Sequence, residues 1–64
     1  MQCSLKAWRV NANLSLEEAA KRLEITADLL KRLEEDSEYL KAADVLLIER
    51  ICRLYGITAE DIRL

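Results

Sequence analysis

Residues 17–35, EEAAKRLEITADLLKRLEE, contain neither glycine nor proline and consist largely of strong helix formers. They can form one long helix or two short helices separated by a corner. Ile25 and Thr26 lie at the midpoint, and a β-branched residue costs a helix only roughly a few tenths of a kcal/mol. Thr26 is also a favourable N-cap, and Asp28 would lie in the first turn after it, where the helix dipole stabilises a carboxylate. The local sequence therefore permits a break here but does not force one.

A coiled coil is the alternative if the helix is continuous. The apolar residues fit a heptad frame for about three heptads, with Leu16, Leu23 and Leu30 at the a positions. The next two a positions are Ser37 and Asp44, which are polar. Coiled coils usually sustain the pattern for at least about three to four heptads. The pattern therefore favours two helices over a zipper.

Capping residues predict where the first helices begin. Ser4 can cap a helix over about 5–12, and Ser15 with Glu18 has the spacing of a capping box that starts a second helix over about 16–23. A third helix is predicted over about 27–36, with Leu30 and Leu33 facing inward. The charged segment that follows, EEDSEY, is interpreted as a connection.

A fourth helix is predicted over about 43–55, opening at Asp44 or just before it. Gly56 is the expected residue in the left-handed conformation after its end, and Thr58 with Asp61 predicts a last short turn that buries Ile62. The pattern indicates an all-α, compact domain of four to five helices. The predicted inner stripe of the fourth helix is Val45, Ile48, Ile51, Cys52 and Tyr55.

The region of the fourth helix holds more apolar residues than one inner face can bury. Leu40, Leu46, Leu47 and Leu54 cannot all point inward together with the predicted stripe. Part of this helix is therefore expected to contact another chain. The alternative is burial beneath the first helix and Trp8.

Length and composition limit the classes of function. With 64 residues and 52% hydrophobic residues, the chain is expected to form a single domain, residues 1–64. Cys3 and Cys52 lie far apart with no histidine in the chain, so a zinc site is excluded and two reduced thiols are expected. The chain shows no signal peptide and no apolar run near the ~18 residues of a membrane span, which predicts a cytosolic protein. No cofactor is expected.

An enzyme is not expected either. The chain has no histidine and no glycine-rich phosphate loop, and its adjacent glutamate pairs would point in different directions on a helix. The net charge of −2 lacks the strongly basic character of many nucleic-acid binders. Local charge matters more than the sum, so this balance leaves DNA binding open.

Four segments, LKAWRVNANLS, EEAAKRL, ITADLLKRLEE and LLIERICRLYGITAEDI, together resemble the lambda-repressor-like helix-turn-helix family of phage Cro and repressor proteins, the Cro/C1 or XRE type. The resemblance spans residues 5–62, and its most telling features are Leu5 with Arg9, Leu14 with Ser15, and Ala20. It implies two helices in residues 16–35, a second helix over about 16–23 and a recognition helix over about 27–35 in the major groove of double-stranded DNA. It further implies a sequence-specific transcriptional regulator of a phage or mobile element, acting as a homodimer.

The same resemblance implies an ion pair between Arg9 and Glu34. The chain also departs from the family pattern at several positions. Glu24 replaces the usual glycine between the two helices, where the turn needs a positive φ, and Leu16 replaces a glutamine that contacts DNA. Ala27, Asp28 and Leu29 replace polar residues early in the recognition helix, Glu35-Asp36 replaces Asn-Gly, and the proline of the next loop is absent.

The resemblance gives seven candidate DNA-binding residues. Lys31 and Arg32 would reach phosphates or a guanine edge, and Asp28 could accept a hydrogen bond from a cytosine amino group. Hydroxyl groups and helix-end amides would meet phosphates at Ser15 and Thr26. The full set is Ser15, Leu16, Thr26, Ala27, Asp28, Lys31 and Arg32.

Two alternatives stay open for this surface. Lys21, Arg22, Lys31 and Arg32 could be solvated charges that pair with acidic neighbours three or four residues away. Leu16 and Leu29 would face DNA where the family is polar, so the fold could instead be a protein–protein interaction module with weak or no DNA binding. Each leucine taken alone could also be an ordinary exposed residue or contact a thymine methyl group.

Overall fold

The computed structural model describes all 64 residues and contains five α-helices with no strand pairing beyond one isolated bridge. This confirms the predicted all-α, four-to-five-helix fold. No helix is long and apolar enough to cross a membrane. The helices are Leu5–Asn11 (α1), Leu16–Leu23 (α2), Ala27–Glu35 (α3), Ser37–Lys41 (α4) and Val45–Tyr55 (α5), followed by a 3₁₀ turn at Ala59–Asp61.

The continuous-helix alternative is wrong, because α2 ends at a left-handed residue. Glu24 has φ 60° and ψ 40°, and its N–H donates to the carbonyl of Lys21 at 3.1 Å. The N–H of Ile25 donates to the carbonyl of Ala20 at 3.0 Å. These two bonds form a Schellman motif, which closes the carboxyl end of a helix and turns the chain. Thr26 then caps α3 by accepting the Leu29 N–H at 3.1 Å.

Asn13 and Gly56 repeat this arrangement after α1 and α5. Both have positive φ, 61° and 72°, and each is followed by a residue that donates back to the carbonyl five positions earlier, in Arg9 and Cys52. Asparagine and glycine adopt the left-handed region at a low conformational cost, whereas the cost for glutamate is higher. Of the three helix ends, the one between α2 and α3 is therefore the most strained.

We expect Glu24→Gly to raise the free energy of unfolding by about 0.5–1 kcal/mol. A left-handed conformation costs a non-glycine residue roughly 1–2 kcal/mol, and the greater freedom of glycine in the unfolded chain offsets about half of that gain. Urea denaturation of the two proteins measures the difference. Glu24→Ala is the control, because it keeps the strain and removes the exposed carboxylate that lies 3.8 Å from Arg50. A gain of the same size in the alanine variant would mean that the carboxylate, not the backbone, is the cause.

The core is a single cluster of eleven apolar residues to which every helix contributes. Ala19 and Ala20 are both buried, and their small side chains let α2 pack against α3 and α5 at the same time. The core residues are Leu5, Ala19, Ala20, Leu23, Leu30, Leu33, Leu40, Ile51, Cys52, Tyr55 and Ile62.

The prediction that residues 34–39 form a connection is wrong, because a short helix, α4, begins at Ser37. The Asp36 carboxylate accepts the N–H groups of Glu38 and Tyr39, both at 3.1 Å, and so caps α4 directly after α3 has ended at Glu35. Leu40 is buried in the core from this helix. It is therefore not part of the apolar surplus predicted for the next one.

The predicted inner stripe of the fourth helix is wrong at its first residue. Asp44 caps α5 by accepting the Leu46 N–H at 2.7 Å, and Val45, which follows the cap, is 69% exposed. Leu46 is 67% exposed as well, whereas Leu47 in the same turn is half-buried against the core. Ile51, Cys52 and Tyr55 are buried as predicted, whereas Ile48 is half-buried.

The two ends of the chain pair with each other beside α1. The Cys3 N–H donates to the Asp61 carbonyl at 3.0 Å, and the Arg63 N–H donates to the Cys3 carbonyl at 2.8 Å, which makes a parallel bridge between Cys3 and Ile62. The indole N–H of Trp8 donates to the same Asp61 carbonyl at 2.7 Å. The carboxylate of Asp61 accepts the Thr58 N–H at 3.0 Å, which confirms the predicted last turn, and this hydrogen bond lowers the pKa of Asp61.

Candidate nucleic-acid interface

A buried ion pair fixes α3 against α1. Arg9 Nε donates to Glu34 Oε2 at 2.7 Å and Arg9 Nη2 to Oε1 at 3.2 Å, and only 10% and 6% of the two side chains are exposed. Arg9 Nη1 also donates to the Leu14 carbonyl at 2.9 Å. The hydrogen bonds that the Arg9 guanidinium donates to the Glu34 carboxylate raise the pKa of Arg9. One arginine therefore joins α1, the loop before α2 and the last turn of α3, which confirms the pair that the resemblance implied.

The predicted phosphate-binding hydroxyls already cap their own helices. Ser15 Oγ accepts the Glu18 N–H, and the Glu18 carboxylate accepts the Ser15 N–H, both at 3.0 Å. The hydrogen bond from the Ser15 N–H to the Glu18 carboxylate lowers the pKa of Glu18, and the nearby Ser15 hydroxyl lowers it further. Each serine or threonine hydroxyl still has its own hydrogen to donate. The capping hydroxyls occupy the Glu18 and Leu29 amides, so only the first two amides of α2 and of α3 stay free to meet an anion.

Lys31 is exposed and lines an open groove of about 220 Å³ between α1, α3 and the start of α2. Leu16, Lys6 and the exposed Glu35 line the same groove, with the Arg9–Glu34 pair beneath them. Lys6 was missed by sequence reasoning. The available signal was its position three residues before Arg9, which places both residues on one face of α1.

Arg32 is held more firmly than predicted. Its guanidinium carbon lies 4.0 Å from the centre of the Tyr39 ring, a cation–π contact between α3 and α4. The stacked arginine keeps its N–H groups at the ring edge for hydrogen bonding, while its position is set by α4.

The alternative in which the basic residues of α2 and α3 pair with acidic neighbours is not seen. None of Lys21, Arg22, Lys31 and Arg32 makes an ion pair, although all four are exposed. The ion pairs that do form involve Met1 with Asp61, Arg9 with Glu34, Lys41 with Glu38, and Arg50 with Glu24.

Leu16 and Leu29 are both half-buried against the core and do not form one shared patch. Leu16 lines the groove with Lys6 and Lys31, whereas Leu29 lines a different, mostly apolar groove of about 250 Å³ with Tyr39 and Leu47. The two leucines are therefore separate features. Early in α3, Ala27 is half-buried and Asp28 is exposed without an ion pair.

The helices α2 and α3 are short and are joined at a tight corner, and the Arg9–Glu34 pair holds α1 against α3. A sequence model for the helix-turn-helix domain matches residues 3–64, almost the whole chain. The chain belongs to the helix-turn-helix domain family. No curated protein matches it, and no solved structure does so either.

Membership of this family indicates a DNA-binding regulator, and such domains are typically not enzymes. The helix-turn-helix segment of this chain carries more acidic than basic side chains. Residues 15–35 carry four basic and six acidic side chains, and only Glu34 among the acids is neutralised by a buried partner.

Proposed function

We propose that this helix-turn-helix domain, residues 1–64 acting as one domain, binds specific sites in double-stranded DNA as a regulator of a phage or mobile element. The observation that carries the proposal is the clamping of α3 by Arg9 and Glu34 while Lys31 stays exposed and unpaired beside the start of α2. A rigid helix with free cations on its flank suits the major groove, which is about 12 Å wide and admits one helix.

The proposed contacts divide into two kinds. Lys31, Lys6, the Ser15 hydroxyl and the Leu16 amide bind phosphates and set the position of α3 on the duplex. Base edges are read from the first turns of α3. There Asp28 accepts from a cytosine amino group, Ala27 contacts a thymine methyl group, and Thr26 and Arg32 contribute hydroxyl and guanidinium donors.

An amide NMR titration with a short random duplex tests this proposal. At low salt we expect shifts at 15–16 and 26–32 that disappear at high salt, because phosphate binding releases counterions. Lys31→Glu should weaken binding at least about tenfold, since it removes a phosphate contact and adds a repelling charge. Lys41→Glu is the matched control, because it makes the same charge change on α4, outside the groove that Lys6 and Lys31 line.

Amides that stay still at DNA concentrations near 1 mM would contradict the proposal, because even non-specific binding has a Kd of about 0.1 mM or lower. The second candidate function, a protein-docking module, would then apply. Its support is the apolar groove of Leu29, Tyr39 and Leu47, and its binding should tolerate salt and fail in Leu29→Asp.

The proposal includes a homodimer formed by the first turn of α5. Val45 and Leu46 are 69% and 67% exposed, and Val45 lies at the edge of a mostly apolar groove of about 360 Å³ that Leu64 and Ile48 also line. Across a two-fold axis, the exposed Val45 and Leu46 of one copy can pack against the same surface of a second copy. Two-fold dimers match DNA half-sites about 34 Å apart.

A further inference from the structure

Three arginines converge on one open groove between α2 and α5, which we name the arginine groove. Arg22, Arg50 and Arg53 line it together with Leu23 and Leu54, and its volume is about 220 Å³. No acidic side chain lines it. Gathering like charges is unfavourable, so this site is electrostatically uncompensated in the isolated chain.

The contacts within the chain neutralise little of this charge. Arg22 and Arg53 make no ion pair. Arg50 donates to the Leu23 carbonyl at the end of α2 and lies 3.8 Å from Glu24, whose side chain is 86% exposed and outside the groove. An exposed pair at that distance contributes about 0–1 kcal/mol. At least two guanidinium groups therefore remain available.

A second site carries the opposite charge, and one of its carboxylates, that of Asp36, also caps α4. Glu35, Asp36 and Glu38 are all exposed where α3 meets α4, and we name them the acidic corner. Glu35 lies in the last turn of α3, where the helix dipole disfavours a negative charge, and neither it nor Asp36 has a basic partner. Glu38 has only the exposed Lys41, 3.6 Å away.

The two sites are complementary in charge and in chemistry. Planar guanidinium groups bind carboxylates through two parallel hydrogen bonds, which a lysine cluster could not provide. The arginine groove is smaller than the roughly 300 Å³ of a typical small-molecule pocket, so it fits a side-chain carboxylate better than a metabolite. No ion pair joins the two sites within one copy.

We propose that the acidic corner of one copy of this chain binds the arginine groove of a second copy. Because the two patches differ, the contact is head-to-tail and leaves one free patch at each end, so it can extend into a row. It is separate from the dimer proposed at the start of α5. On neighbouring DNA sites even a weak contact of this kind would make binding cooperative, because tethered partners meet at about millimolar effective concentration. That consequence, unlike the contact itself, rests on the proposed function.

Self-association of the full chain without DNA tests this proposal. Amide NMR spectra are recorded at low salt while the protein concentration is raised to about 1 mM. We expect the signals of the arginine groove and the acidic corner to shift together. The shifts should disappear in about 0.5 M salt, where the screening length is well below 10 Å. Shifts in only one patch, or shifts that salt does not reduce, would overturn the proposal.

Exchanging the charges makes the test specific. Arg53→Glu and Glu35→Lys should each abolish the concentration-dependent shifts, because each lowers the net charge of its own patch from three units to one and places a repelling charge opposite the partner patch. An equimolar mixture of the two variants should restore them. Glu60→Lys is the control for a simple change in net charge, and it should retain the shifts.

A mixture that fails to restore the shifts would overturn the head-to-tail contact. Failure of the head-to-tail contact can be told apart from failure of the α5 dimer and from failure of DNA binding. The α5 dimer is apolar and would give salt-insensitive shifts at Val45 and Leu46, and DNA binding has its own titration.

Discussion

Glu34→Ala should lower the free energy of unfolding by about 3–5 kcal/mol, because it leaves the buried guanidinium of Arg9 without its partner. A chain of 64 residues is expected to have only about 3–10 kcal/mol in total. The variant should therefore be largely unfolded at moderate temperature. Chemical denaturation followed by circular dichroism measures the change.

Two further variants separate the buried charge from a general effect of mutation. Glu35→Ala changes the adjacent, exposed glutamate and should alter stability by less than about 0.5 kcal/mol. The double variant Arg9→Met with Glu34→Met replaces the pair by apolar side chains and should recover most of the loss. If Glu34→Ala and Glu35→Ala have the same free energy of unfolding, the ion pair does not hold α3 in place.

Ile51→Ala should cost about 2–5 kcal/mol, because Ile51 is fully buried in the middle of α5 and its truncation leaves a cavity. Val45 lies on the same helix and carries a similar branched side chain, yet it is exposed. Val45→Asp should change the stability of the monomer by less than about 0.5 kcal/mol, and an acidic residue in the first turn also suits the helix dipole. Thermal and urea unfolding at low protein concentration measure both effects.

The same Val45→Asp variant tests the proposed dimer. Sedimentation should show the wild-type chain approaching twice the monomer mass as concentration rises, whereas the variant should stay at the monomer mass. A buried aspartate without a partner would be too costly at an apolar contact. Unchanged association in this variant would place the contact elsewhere on the chain.

Local capping chemistry was predictable from the sequence because it depends on residues close together in the chain. Ser15 with Glu18, Thr26 and Gly56 each mark a helix boundary where the structure has one. The helix α4 was missed because five residues are too few to show a helical period, so the capping role of Asp36 could not be distinguished from a charged loop. The cation–π contact of Arg32 was missed for the same reason, since Tyr39 lies on that helix.

Burial at helix ends was less predictable, because it depends on which other element covers them. Val45 matches the period of the inner stripe, but its side chain is exposed, whereas Leu47 in the same turn is half-buried against the core. Leu16 and Leu29 were likewise both expected on the DNA-facing surface, yet they line different grooves in the fold. The DNA contacts themselves remain predictions.

The pairing of Cys3 with Ile62 also determines how the domain would respond to mechanical force. The two segments run parallel, so tension applied to the two ends of the chain pulls the paired segments in opposite directions along their length. The two backbone hydrogen bonds of Cys3 are then loaded together in shear and not opened one after the other. The helices behind this bridge would be shielded from the pull until both bonds break.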